Sequence, residues 1–515
     1  MDDDPSATAA VDRPWSEIVA SKRAIREDLL REHSSTVSDS ASSDATGADI
    51  VDVSAKELIR AYIGRTNCLT EICFNDALEQ ARQLDQFQQT HGRPMGPLHG
   101  VPISVKDQFN VKGFDSTLGY VGNAFQPAEA DAPLVQTLKR LGAVIIAKTN
   151  LPQSIMTDNP LWGLTTHPSD PKLTPGGSSG GEAAPLSLAG SLVGFGTDIG
   201  GSIRIPSHTM GFGSGRLSYR GVSVTLDGQQ HVPSSVGPMA RSLSALAEVM
   251  KLAIEAEPWT TDPLIPPLPW REKVFQEFCT RKLVIGTMLD DGMVRPHPPI
   301  ERVFSDLAAK LRAAGHGLVE WSSSANADCI QIMDDYYAAD GGEDIRRGVA
   351  AGGEPFIPHI QAFVERGQPI SVYEYWQLNK RKVASQQAYH DMWDTVRSPS
   401  GRPVDVLLVP TMPHTAVPHG SCRWTGYTKL FNFPDYTALT FPAGKADGLD
   451  VPRDELDSRP PARHQHDPRN PIDAANWDLY DPRAMCSLPI GLQIVGRRFE
   501  EEKVLGVASQ VQKVL

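Results

Sequence analysis

Two stretches rich in glycine and serine flank an apolar segment, and this arrangement limits the folds that are open to the chain. The stretches are TPGGSSGGEAAP at 174–185 and GTDIGGSIRIP at 196–206. Glycine and serine are typical of flexible linkers, but the segment between these stretches is apolar and rich in small residues. We therefore predict that both stretches are anchored to a buried core. A packed helix that begins near Gly181 would hold Pro185 close to its start, where proline is tolerated.

The glycine pattern does not match the common nucleotide-binding loops. No lysine follows GGSSGG as a phosphate-binding loop requires, and the G-x-G-x-x-G fingerprint is missing. The G-x-S-x-G elbow is also missing, and neither stretch contains a histidine, which disfavours a Ser–His–Asp hydrolase. What remains is a bent backbone that presents hydroxyls and N–H groups. Such a backbone suits the stabilisation of an oxyanion while a hydroxyl attacks a carbonyl.

A serine nucleophile needs a base, and a lysine is the candidate. The segment HGVPISVKD places Lys106 at the end of an apolar strand. Burial disfavours the ammonium form and lowers the pKa of a lysine toward neutrality. Considered alone, Lys106 reads as a surface or ion-paired lysine. Together with the two glycine- and serine-rich stretches, it is favoured as a base.

Composition and charge exclude several classes of function. The chain has 515 residues, of which 40% are hydrophobic and 22% charged, which is typical of a globular protein. A net charge of -13 argues against binding to nucleic acid or to an anionic membrane surface. The acidic start lacks the apolar region of a secretory signal. Six scattered cysteines without zinc-site spacing predict reduced thiols, a cytoplasmic location and no metal.

The chain divides into a short N-terminal part and one large domain. Residues 1–50 are predicted to hold a helix and a disordered, serine-rich connector, and residues 51–515 a single domain. Within that domain, residues 443–483 read as a polar surface excursion. Helical spacing predicts a helix over 69–87, and apolar runs such as 143–147 predict strands. This alternation of helices and strands predicts an α/β fold.

Three motifs carry a family resemblance. GPLHGVPISVKD, TPGGSSGGEAA and GTDIGGSIRIP, in this order, resemble the amidase signature family, and in detail its fungal acetamidase-type branch. The resemblance covers most of the chain after residue 65. It implies a central mixed β-sheet with helices on both faces and hydrolysis of small carboxylic amides. It also implies that no cofactor is needed, and because members of the family often pair, it allows a homodimer.

The resemblance assigns roles to individual residues. Lys106 matches the catalytic lysine, Ser178 the bridging serine that follows a cis peptide bond, and Ser202 the nucleophile that carries the acyl-ester. Asp198 and Arg204 match positions that brace the site without reacting. The implied oxyanion hole consists of the backbone N–H groups of Ile199, Gly200, Gly201 and Ser202.

Other side chains have two readings each. Met156 and Trp162 fall where relatives line the acyl pocket, but core packing explains them equally well. Tyr336 and Tyr337 either wall the substrate channel or cover the sheet.

The chain also departs from the family pattern. The segment SHTMGFGSGRLSYRG, which follows Pro206, is shorter than in most members and lacks a Lys-Pro pair. This departure leaves room for a second reading, a catalytically impaired pseudo-amidase that serves as a binding protein or in a secondary-metabolite pathway. A glutamine-dependent amidotransferase subunit is a third reading, disfavoured because no synthetase or tRNA-binding segment is appended.

Overall fold

The structure is a computed structural model that describes residues 13–34, 47–62, 66–156, 158–216, 228–447 and 466–515. Eleven strands lie in these ranges. They are β1 Leu69–Ile72, β2 Pro102–Lys106, β3 Val144–Thr149, β4 Val193–Asp198, β5 Gly213–Arg216, β6 Ser235–Ala240, β7 Val284–Thr287, β8 Gly317–Glu320, β9 Val406–Pro410, β10 Ala438–Lys445 and β11 Pro489–Val495. All of them belong to one sheet in the order β1-β3-β2-β4-β6-β5-β10-β11-β9-β7-β8.

Sixteen α-helices accompany the sheet in the same ranges. They are α1 Trp15–Ser34, α2 Gly47–Ala61, α3 Phe74–His91, α4 Pro133–Arg140, α5 Gly180–Ser187, α6 Arg204–Met210, α7 Leu243–Glu255, α8 Glu272–Phe278, α9 Pro298–Ala313, α10 Asn326–Tyr337, α11 Glu343–Gly352, α12 Pro358–Arg366, α13 Val372–Thr395, α14 Gly426–Asn432, α15 Pro471–Asp478 and α16 Glu501–Gln512. None of these helices combines the length and the apolarity that crossing a bilayer requires.

Parallel and antiparallel strand pairs both occur in the sheet. Strand β2 runs parallel to β3 and β4, and β7 runs parallel to β8 and β9. Strand β4 runs antiparallel to β6, and β10 antiparallel to β11. The predicted α/β fold with a mixed sheet is confirmed.

Helices cover both faces of the sheet. Successive residues of a strand point to opposite faces, and on β3 they enter different buried clusters. Val144 and Ile146 pack with residues of α2 and α3, whereas Ile145 packs with residues of α4 and α7. Because β2, β3 and β9 are buried along their whole length, they read as continuous apolar runs, which explains why these strands were predictable from the sequence.

The helix predicted over 69–87 is wrong at its start. Residues Leu69–Ile72 form β1, and helix α3 begins only at Phe74. Strand β1 pairs antiparallel with β3, with Leu69 opposite Thr149 and Ile72 opposite Ala147. Four residues are too few to show a period, so pairing with a distant strand decides their conformation.

The apolar segment between the two glycine- and serine-rich stretches also differs from the prediction. The expected helix is present as α5, but it ends at Ser187 and the chain continues as strand β4. The sequence did not predict this strand because two of its residues are glycines, which are unfavourable in strands. At Gly194 an added Cβ would lie 1.8 Å from Glu182 Oε1, so close packing against α5 requires glycine there.

Two predicted segments, the N-terminal connector and the polar excursion, are only partly described. Helix α1 lies in the N-terminal segment. Residues 35–46 of the predicted connector fall outside the described ranges. Helix α2 begins directly after them, at Gly47. Within the predicted excursion, residues 448–465 fall outside the described ranges as well. Its described flanks are the end of β10 and helix α15, which carries the buried Trp477. The domain boundaries therefore stay a prediction.

Candidate active site

Lys106 is the last residue of β2, and its side chain is fully buried between two hydroxyls. Its Nζ lies 2.6 Å from Ser178 Oγ and 2.7 Å from Thr197 Oγ1. Ser178 lies in the glycine turn that leads into α5, and the Gly177–Ser178 peptide bond is cis. Thr197 comes from the neighbouring strand β4, which runs parallel to β2. The amine of Lys106 thus lies where two parallel strands and the glycine turn before α5 meet.

Burial controls the protonation of this amine. It lowers the pKa of Lys106 to about 7, although Asp198, Asp107 and Glu182 nearby favour the charged form. Desolvation dominates because, among the residues that the structure describes, no carboxylate forms an ion pair with Nζ, whose hydrogen-bond partners are neutral hydroxyls. A substantial fraction of Lys106 is therefore uncharged near neutral pH, and an uncharged amine can accept a proton.

Ser202 lies in the turn between β4 and α6, beside the segment that carries Ser178. The N–H of Ser179 donates to Ser202 O at 3.1 Å, which ties the two glycine- and serine-rich stretches together. Ser178 and Ser202 both line a cavity of about 340 Å³. Most of its other walls are apolar, formed by Leu118, Ile155, Met156, Ile199, Ile205, Ile345 and Phe363. The two predicted serines thus face one space, and most of its lining is apolar.

The turn before Ser202 is held by side chains from distant helices. Tyr337 Oη donates to Ile199 O at 2.8 Å, and Thr428 Oγ1 donates to Gly200 O at 2.8 Å. The N–H of Gly201 donates to Asp198 Oδ1 at 2.7 Å. Because the carbonyl and the N–H of one peptide unit point in opposite directions, these contacts fix the orientation of the N–H groups as well. One of the four predicted oxyanion donors, Gly201, is therefore engaged within the turn.

Asp198 and Arg204 form a buried pair next to this turn. Arg204 Nε and Nη2 donate to the two carboxylate oxygens of Asp198, each at 3.0 Å, and both side chains are fully buried. Arg204 also donates to Asn432 Oδ1 at 2.6 Å and to Gln493 Oε1 at 2.9 Å. Burial alone would raise the pKa of Asp198, but the Arg204 charge and its hydrogen bonds hold that pKa well below its usual value.

The structure also resolves the residues that had two readings. Met156 and Tyr337 line the cavity. Trp162 does not; it is buried, and its Nε1 donates to Thr117 Oγ1 at 3.2 Å. Tyr336 does not line the cavity either; its ring stacks on that of His231, with the ring centroids 4.6 Å apart.

Sequence reasoning missed Thr197 and Gln108, two polar neighbours of Lys106. Thr197 directly precedes Asp198 inside a recognised motif, and Gln108 follows Lys106 by two residues, so both lie next to predicted site residues. Neither residue type carries a catalytic signal by itself. Elsewhere in the described ranges, no group of three or more His, Cys, Asp or Glu side chains is arranged to hold a metal ion.

Comparison with known proteins decides the family. The family model described as Amidase matches residues 54–505. The chain belongs to the amidase signature family. Amidase 2 of Gibberella moniliformis is 63% identical over an alignment of 522 residues, gaps included, and the match covers 96% of this chain and 97% of that protein. The acetamidase of Emericella nidulans is 34% identical over 499 residues, with 92% and 89% covered.

A solved structure agrees with these relatives. A fatty acid amide hydrolase superposes with a TM-score of 0.83 at 28% identity, covering 99% of this chain and 92% of that one. The protein is thus an amidase, an enzyme that hydrolyses the C–N bond of carboxylic amides. The predicted family, fold and class of enzyme are confirmed.

Proposed function

We propose that this amidase cleaves small carboxylic amides through Ser202, Ser178 and Lys106, with an acyl-ester on Ser202 as the intermediate. The observation that carries the proposal is the 2.6 Å contact between Lys106 Nζ and Ser178 Oγ, on a serine that shares its cavity with Ser202. A buried amine with a pKa of about 7 is a base matched to neutral pH.

The proton moves in two directions during one turnover. Neutral Lys106 accepts the proton of Ser178, and Ser178 accepts the proton of Ser202 as its oxygen attacks the amide carbonyl. When the tetrahedral intermediate collapses, Ser178 gives a proton to the leaving nitrogen and Lys106 restores the proton of Ser178. Water then attacks the ester through the same relay and releases the carboxylate. Ammonia or an amine is the other product.

The backbone of the turn stabilises the negative charge that develops on the carbonyl oxygen. We assign this role to the N–H groups of Ile199, Gly200, Gly201 and Ser202. The Gly201 N–H donates to Asp198 at 2.7 Å, so it contributes only by sharing its hydrogen or leaving that carboxylate. The Tyr337 and Thr428 hydroxyls fix the adjacent carbonyls, which supports a preorganised hole.

The substrate class follows from the size and lining of the cavity. A space of about 340 Å³ with mostly apolar walls suits a small aliphatic or aryl acyl group. The relative from Emericella nidulans is named an acetamidase, which is consistent with a small acyl group. We infer aliphatic and aryl amides of small carboxylic acids as substrates.

A lysine replacement tests the proposal. Lys106→Met keeps the length and apolarity of the buried stem but removes the base, so we expect amide turnover to fall by about 1,000-fold or more. Labelling of Ser202 by a fluorophosphonate probe should fall in parallel. The matched control is Lys112→Met, because Lys112 is exposed and should be replaceable without loss.

Two outcomes would contradict the proposal. If folded Lys106→Met turns over amides at the wild-type rate, the lysine is not the base. If the wild-type protein hydrolyses amides but the probe labels a residue other than Ser202, the nucleophile is misassigned. Ser202→Ala serves as the unlabelled reference.

A further inference from the structure

Thr197 and Gln108 extend the hydrogen-bonded chain beyond Lys106. Lys106 Nζ lies 2.7 Å from Thr197 Oγ1, and the Thr197 hydroxyl donates to Gln108 Oε1 at 2.6 Å. Gln108 is 2% exposed and Thr197 also 2%. The described contacts therefore run from the carboxamide of Gln108 through Thr197 and Lys106 to Ser178.

The number of hydrogens on each group determines which hydroxyl can donate to Lys106. A neutral amine has two hydrogens and one lone pair, and the two hydroxyls beside Lys106 compete for that lone pair. If Thr197 donates to it, Ser178 cannot, and the relay to Ser202 has no acceptor. A carbonyl oxygen only accepts, so Gln108 Oε1 binds the single hydroxyl hydrogen of Thr197. Thr197 is then left to accept from Lys106, and the lone pair faces Ser178.

We propose that Gln108 is a positioning residue that reserves the lone pair of Lys106 for Ser178 by holding the hydrogen of Thr197. This inference rests on the proposed role of Lys106 as the base. It also fixes the orientation of the Gln108 carboxamide, because the reversed amide would donate to Thr197 and turn that hydroxyl's hydrogen toward Lys106.

A competing role for Gln108 is direct contact with the substrate, since it also lines the cavity. The two roles predict different measurements. A substrate contact changes KM and depends on which amide is used. A positioning role lowers kcat and the rate of Ser202 labelling for every probe, and it disappears when Thr197 has no hydroxyl.

The experiment is a double-mutant cycle on the full chain. The variants are Gln108→Met, which keeps the side-chain length but replaces the carbonyl oxygen by a weakly accepting sulfur, Thr197→Val, which keeps the shape but has no hydroxyl, and their combination. Matched controls are Gln108→Glu and Thr197→Ser, which retain the acceptor and the hydroxyl. The readouts are the rate of Ser202 labelling by a fluorophosphonate probe across pH, kcat and KM with p-nitroacetanilide, and the melting temperature.

The positioning role predicts a specific set of results. Gln108→Met should lower the labelling rate and kcat by about 10-fold with little change in KM. Thr197→Ser should stay close to the wild type. In the Thr197→Val background, Gln108→Met should cause no further loss, because its effect passes through the missing hydroxyl. Gln108→Glu should keep the rate maximum but move the pH midpoint upward, since a carboxylate nearby favours the charged lysine.

Other results overturn the inference. Effects of Gln108→Met and Thr197→Val that multiply in the double variant would show that Gln108 acts independently of Thr197. A change confined to KM would assign it to the substrate. If Gln108→Met does not fold, an unmoved pH midpoint in Gln108→Glu or a large loss in Thr197→Ser is equally decisive. Wild-type activity in Lys106→Met would instead refute the proposed base itself.

Discussion

At the scale of single residues, the environment of Lys106 matters more than its identity. The same side chain on the surface would be charged at neutral pH, and here burial lowers its pKa to about 7. Its two oxygen partners, Ser178 and Thr197, are neutral hydroxyls, so they satisfy the amine without forcing it to keep a proton. The proposed relay therefore depends on the absence of an ion pair at Nζ within the described contacts.

This environment predicts a pH dependence of a definite sign. The neutral form of Lys106 is the proposed active form, so the rate of Ser202 labelling and kcat/KM should rise with pH through about 7 and level off above it. A rate that falls over the same range would require a protonated group and would contradict the proposed base. The rate of Ser202 labelling, measured in quenched time points from about pH 5 to about pH 9, gives this pH dependence.

At the scale of elements, the turn between β4 and α6 combines a backbone requirement with close packing. Gly201 has a φ of +128°, a conformation that other residues rarely adopt. An added Cβ at this position would lie 2.2 Å from Thr428 Oγ1, the hydroxyl that donates to Gly200 O. The turn and helix α14 are therefore fitted to each other at this glycine.

We expect Gly201→Ala to lose about 100-fold or more of its amide turnover, because the clash displaces the proposed oxyanion donors. Fluorophosphonate labelling and amide hydrolysis measure the loss. Gly113→Ala is the control, since Gly113 also has a positive φ of +88° but an added Cβ there meets nothing within 4 Å. Equal losses in both variants would mean that backbone strain alone, not contact with Thr428, accounts for the effect.

At the scale of the whole molecule, helix α1 is joined to the main body by buried charges. Lys22 Nζ lies 2.6 Å from Glu71 Oε1 of β1 and 2.8 Å from Asp115 Oδ2, and all three side chains are largely buried. Arg26 Nη1 on the same helix donates to Leu69 O at 2.8 Å. The N-terminal helix thus packs against the edge strand β1 and bonds to its side chains and backbone.

Removing this charge should destabilise the protein as a whole. Lys22→Met leaves two buried carboxylates without their cation, and breaking a buried pair in this way costs about 3–5 kcal/mol of unfolding free energy. Urea unfolding measures the change. Arg31→Met is the control on the same helix, because Arg31 and its partner Asp28 are mostly exposed and their ion pair contributes little. An unchanged midpoint for Lys22→Met would mean that α1 is not required by the folded body.

The sequence by itself predicted the family and the α/β class correctly, and it supplied the residues proposed for the site. These follow from local patterns, because the glycine turns, Ser178, Ser202 and the strand that ends at Lys106 each lie within one short motif. The same local reading failed for β1 and β4. Strand β1 is too short to show a period, and Gly194 of β4 is required by close contact with Glu182 of α5.

Only the tertiary structure decided how the site is held. Thr197 meets Lys106 from 91 residues away, and Tyr337 reaches Ile199 across 138 residues. No local pattern marks such partners, because a threonine or tyrosine in an ordinary strand or helix looks the same whether or not it touches the site. The pKa of Lys106 has the same origin: it depends on the water that packing removes, and a sequence records the lysine but not its desolvation.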